Sequence, residues 1–181
     1  MSNETDARCL ETFPNWLRTL GHDAEALASA LAAEGTPEAA RRALAGGLNY
    51  VFKSVDLIPD GIDDIGYLDD AFVLRIASAQ AIADGLDEGG SPAVAALARD
   101  ARLVEDFLGA DYGRLFAYVQ GLRRSAARGR SVDDILSGAA VRSEFIADVA
   151  GFARSYSAPG FSREEKNLIK LRAFFDAKLP R

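Results

Sequence analysis

Residues 55–74, VDLIPDGIDDIGYLDDAFVL, decide the fold. Six aspartates fall between positions 56 and 70, and isoleucine, leucine, valine and phenylalanine flank them. So much like charge beside so much apolar surface suits two kinds of structure. Carboxylates can gather to hold a hard cation or move a proton, or they can cap helices and fix a corner in a helical core.

Pro59 has no amide donor and disfavours helix at Ile58, so the helix arriving through Phe52 is expected to end near Val55. Asp56 then stands where its carboxylate can accept amide hydrogen bonds as an N-cap. Gly66 permits a second corner, and Asp69 and Asp70 fall in the first turn of the next helix, where the helix dipole favours carboxylates. Asp63 and Asp64 are expected to face water. Gly46 and Gly47 each cost about 1 kcal/mol against alanine inside a helix, which predicts that another backbone crosses closely there.

Outward from this stretch, apolar residues recur at three- and four-residue spacing and no segment alternates for long, so the chain reads as all-α. Ala40, Leu44, Gly47, Leu48, Val51, Phe52 and Val55 form one stripe, and Leu68, Phe72, Ile76, Ala79, Ala83 and Leu86 another. Further stripes follow at Val94–Leu108, Tyr112–Leu122 (with Phe116), Phe145–Tyr156 and Leu168–Phe175. Thr36-Pro37 and Ser91-Pro92 pair a capping hydroxyl with a proline at the first helical position, Ser162–Glu165 spells a capping box, and Ser131–Asp134 is a weaker version of it. With stops at Gly35, Gly89-Gly90, Gly109, Gly129 and Pro159-Gly160, a compact bundle of about eight helices is expected, with a bent helical hairpin at residues 39–88.

The 181 residues, 49% of them hydrophobic, suffice for one ordinary core. Charge is divided unevenly: residues 1–90 carry 6 basic and 16 acidic side chains, residues 91–181 carry 15 and 11, and the whole is −6. We therefore expect an acidic helical half, 1–90, and a basic helical half, 91–181, packed as one globular unit, with complementary potentials steering half onto half or chain onto chain. The acidic balance argues against nucleic-acid binding. Cys9 and His22 are the only residues of their kinds, which excludes an internal disulfide and any Cys/His zinc cluster. Cys9 is expected to be partly buried, and His22 to lie at a helix start or on the surface. The first residues show no signal or transit pattern, and no apolar run reaches the roughly 20 residues of a membrane span. A cytoplasmic protein without a transmembrane segment is the expectation.

The segment GGLNYVFKSVDLIPDGIDDIGYLDDAFVLRIA, residues 46–77, carries two linked motifs, D-L-I-P-D at 56–60 and G-Y-L-D-D at 66–70. In these it resembles the YkvA-like domain of unknown function found widely in bacterial proteins, over roughly residues 39–85. The usual serine-proline and isoleucine before the first motif are replaced by Lys53-Ser54-Val55, and Asp63 and Asp64 make this copy more acidic. The resemblance implies a helical hairpin around a bent connector and carries no activity with it.

Two functions compete. The first is a non-enzymatic interaction or regulatory module without cofactor, whose partner is another protein or a second copy. A docking patch for it is offered by Arg123, Arg124, Arg128 and Arg130, whose other reading is a solvated helix end. The second is a divalent-metal-binding protein or metal-dependent hydrolase, in which Asp56, Asp60 and Asp70 hold Mg2+, Mn2+ or Ca2+ through oxygen. An EF-hand is excluded: with Asp56 at position 1, Tyr67 stands where the bidentate glutamate is required.

Overall fold

In the computed structural model, which describes residues 3–181, the helix that begins with Asp69 and Asp70 lies at the centre of the molecule. Eight α-helices follow one another among the described residues: α1 (Asn3–Ala32), α2 (Glu38–Val51), α3 (Leu68–Ala83), α4 (Pro92–Leu108), α5 (Tyr112–Gly121), α6 (Val132–Ser137), α7 (Ala139–Ser155) and α8 (Glu165–Lys178). A two-stranded antiparallel hairpin, β1 (Ala126–Ala127) and β2 (Arg130–Ser131), turns the chain between α5 and α6. The all-α fold predicted by periodicity is the fold observed.

α3 is buried along nearly its whole length, with α1, α2, α4 and α5 around it. A helix apolar on all sides fits only such a central position. One continuous core runs from Cys9 to Leu179 and joins residues from both sides of Gly89-Gly90. Its aromatic heart is Phe13, Phe72 and Phe107, with Phe13 at 5.2 Å from Phe107 edge-on and Phe175 of α8 stacked on Phe72 at 5.3 Å. α1 fills its face with Phe13, Trp16, Leu17, Leu20, Leu27 and Leu31, and Pro14 sits inside it without ending it. Burial on this scale outweighs the roughly 3 kcal/mol an interior proline costs. Cys9 is fully buried and its thiol is pushed up to about 12 by burial, while His22 is exposed on α1.

Several local expectations are corrected. α2 stops at Val51, four residues before Val55, because Phe52 and Lys53 turn their amides back to Asn49 and Tyr50. Val55, placed on the stripe by periodicity, is therefore 78% exposed, and Phe116 lies at the rim at 36%. Thr36 does not cap α2: its hydroxyl donates to Ala30 O, and Pro37 holds the cap position. Ser91 precedes α4 without a side-chain cap bond. Ser162 is no capping box either, since its backbone and hydroxyl oxygens accept from the Asn167 amide. The weaker Ser131–Asp134 signal is the one that closes reciprocally, at 3.0 and 2.9 Å.

The predicted close crossing at Gly46 and Gly47 is present. A Cβ on Gly46 would lie 2.9 Å from the Leu122 backbone, and one on Gly47 would meet Ala77 Cβ at 2.6 Å. Gly46 is thus where residues 122–124, just before the hairpin, cross α2. Gly46→Ala should lower stability by about 1–3 kcal/mol in urea unfolding, whereas Gly121→Ala, which meets nothing within 4 Å, should be neutral or stabilising.

Candidate functional site

The strap between α2 and α3, residues 52–67, is held by a hydrogen-bond relay. Tyr50, at the end of α2, donates its hydroxyl to Asp69 Oδ2 and accepts the Leu57 amide at 2.8 Å. Asp69 Oδ2 also accepts the Ile58 amide at 3.0 Å. Two strap amides that Pro59 prevents from entering a helix are therefore satisfied by side chains from both flanking helices. Tyr50 and Asp69 are both completely buried, where such bonds are not contested by water. Neither is among the candidate site residues; the sequence places Asp69 in a helix's first turn, where capping and the dipole favour a carboxylate.

The three predicted metal ligands go to different depths. Asp70 is buried, Asp56 is half-buried and Asp60 is exposed. Asp56 is not an N-cap, because no helix follows it before Leu68. Its Oδ1 is buried without a hydrogen-bond partner, as is Asp69 Oδ1. Asp60 lies beside the Tyr67 hydroxyl, which lowers its carboxyl against the rise caused by burial. Among the described residues no group of three or more histidine, cysteine, aspartate or glutamate side chains is arranged to hold a metal ion. The carboxylates nevertheless feel one another. Burial, then Asp60 and Asp69, push Asp56 up to about 7, with Lys53 opposing. Burial and then Asp69, Asp60 and Asp56 push Asp70 well above the carboxylate range, and burial raises Asp69 and Asp60 as well.

The second corner is tighter than its glycine implies. A Cβ at Gly66 would meet Asp60 O at 2.3 Å, so this position admits only glycine. Asp64 and Tyr67 take left-handed backbone, φ +70° and +67°, which is uncommon for any residue with a side chain and a marked outlier for an aromatic one. Asp64, expected to face water, accepts the Ser162 amide at 2.6 Å and ties the strap to the segment before α8.

The predicted basic patch is divided. Arg123 reaches Asp84 at 2.5 Å, and Arg130 pairs with Asp148 at 2.8 Å while lying over Phe145. Arg124 is exposed, and Arg128, in the hairpin turn at φ +50°, lays its guanidinium 4.9 Å over Phe52. These arginines do not end an α-helix: Leu122–Arg124 is a 3₁₀ turn and the rest belong to the hairpin. A groove of about 510 Å3 opens where hairpin, strap and α7 meet, bounded by Phe52, Asp60, Tyr67, Arg128, Asp148 and Arg154. Tyr67 and Arg154 were given no role by the sequence.

Residues 40–76, which are α2, the strap and the first half of α3, match the signature of a family described as "Protein of unknown function (DUF1232)". No curated protein and no solved structure matches the chain.

The Asp56 carboxyl carries a pH prediction. With a folded value near 7 against an ordinary 3.8, the folded state keeps its proton between those values while the unfolded state loses it, so stability falls as pH rises through that window. Asp56→Asn should remove the penalty. Discounted for solvent screening, the gain is about 1 kcal/mol at pH 8, or roughly 2–4 °C in Tm, and vanishes by about pH 4. A variant with the same Tm difference at pH 4 and pH 8 would show that the Asp56 carboxyl titrates as in water.

Proposed function

We propose that the chain is a non-enzymatic, cytoplasmic, helical interaction module whose residues 39–85 form a YkvA-like segment and whose partner is a protein or a second copy of itself. The observation that carries this is the groove at the seam of the acidic and basic halves. Its rim residue Tyr67 is held in left-handed backbone, a conformation that persists only where the surroundings enforce it, and Arg128 is held up by the two-residue hairpin turn that requires its positive φ. The central carboxylate, Asp69, is meanwhile occupied in holding the strap, so the motif's chemistry supports the shape of a surface. Reversing two exposed charges in the groove, Arg128→Glu with Arg154→Glu, should abolish association. Sedimentation velocity reads this directly: self-association at about 50 mM salt should weaken by about 0.5 M as screening shortens. A monomer at every ionic strength would eliminate the second copy as partner.

A divalent-metal reading is favoured by one specific observation, the two buried carboxylate oxygens without partners, Asp56 Oδ1 and Asp69 Oδ1. Unsatisfied buried acceptors of this kind call for a proton, a water or an ion. In this second reading Asp56, with Asp60 and Asp70 nearby, draws Mg2+, Mn2+ or Ca2+ into the strap, and the strap rearranges to bring the oxygens together. A ligand that binds only the folded state raises Tm. Thermal unfolding with about 1–10 mM of each metal should then show a rise that Asp56→Asn abolishes, and no shift with any of them ends the reading.

A further inference from the structure

The groove between the strap, the hairpin and α7 has a polarity that specifies a ligand. Arg128 sits over Phe52, with its guanidinium carbon 4.9 Å from the ring centroid. The ring backs the guanidinium, and its N–H donors suit a planar or tetrahedral oxyanion, the geometry arginine uses for carboxylate and phosphate. Arg154, exposed in the last turn of α7, borders the same groove. Among the described residues no carboxylate comes within 4.0 Å of either guanidinium, and the two border the same groove. Asp148 also borders the groove, but its charge is met by Arg130 at 2.8 Å. On the strap side stands Asp60, an exposed carboxylate beside the Tyr67 hydroxyl, on a segment whose Tyr67 backbone is itself left-handed.

We propose that this groove binds an oxyanion, a phosphomonoester or a carboxylate, that carries a hydrogen-bond donor a few bonds away. Arg128 and Arg154 clamp the anion, Phe52 supports the Arg128 guanidinium, and Asp60 takes the donor. This rests on the groove being a recognition surface and names the chemistry recognised there. A ligand with anion alone would face Asp60 uncompensated, which is the source of selectivity.

Amide-resolved NMR titration of the full chain with four probes tests it: O-phosphoethanolamine and inorganic phosphate, β-alanine and acetate. The expected result is saturable shifts at residues 60–67, 128 and 151–155 below about 10 mM, with the donor-bearing member of one pair binding about fivefold or more tighter than its bare partner. The pair that binds tells phosphate from carboxylate. Arg128→Gln with Arg154→Gln should weaken binding about tenfold or more while the rest of the spectrum reports an unchanged fold. Asp60→Asn should keep the bare anion and erase the preference for the donor. No saturable shift with any probe, or equal affinity in the double glutamine variant, overturns the oxyanion assignment. Salt-sensitive association that persists in that case leaves the recognition surface standing, and loss of both removes it too.

Discussion

The fold depends on one constraint: α3 is buried on every side yet carries Asp69, Asp70, Arg75, Ser78 and Gln80. A buried polar group must find a partner or forfeit its hydration, so Asp69, Arg75 and Gln80 dictate what lies beside them. Asp69 takes the Tyr50 hydroxyl and the Ile58 amide, which fixes the strap on α2. Arg75 is held by Asp23 of α1 at 3.2 Å and Asp100 of α4 at 3.7 Å, lies 3.9 Å over the Trp16 ring, and donates to Ala71 O. Gln80 donates to Phe116 O in α5, and Ser78 turns back to Leu74 O in its own helix. The four helices around α3 are thus set in place partly by polar demands from the centre. Such pairs give less stability than apolar packing would, but they specify register, because a helix shifted by one residue leaves a charge unpaired in the core.

Ion pairs join the two halves of the chain. Asp84 meets Arg123, Asp133 meets Arg42, Asp100 meets Arg75 and Asp6 meets Arg172, each pair linking a residue before Gly89 with one after it. Two of these pairs draw their arginine from the acidic half, so the pairing follows local packing and not the net charge of each half. What is left over at the seam is the groove. There Arg128 and Arg154 keep their charge available, and Asp60 and Tyr67 stand opposite.

The candidate site was half legible. D-L-I-P-D and G-Y-L-D-D announced a bent connector, Gly66 its second corner, and Gly46 and Gly47 a close approach that the structure contains. The roles of the aspartates were not legible from spacing. Asp56 lies in a strap without helix, Asp64 reaches Ser162 98 positions away, and Asp69 is bonded to a tyrosine 19 positions before it. Tyr50 carries no motif signal, since on the sequence it is one more apolar position near a helix end. Caps failed for a related reason: the Thr36 and Ser162 oxygens found partners elsewhere, and only Ser131, which has its partner three residues ahead, behaved as local chemistry predicts.

By itself the sequence determined the helical class, the position of most helices, the bend at Pro59 and the need for glycine where chains cross. These follow from the 3.6-residue period and from backbone sterics, which act over a few neighbouring residues. The depth of each aspartate, the burial of Arg75 against Trp16 and the meeting of strap and hairpin at one groove were decided only in three dimensions. Burial and electrostatics depend on what packs from distant parts of the chain, and the same carboxylate is a solvated charge, a buried acceptor or half of a binding site according to that surrounding alone.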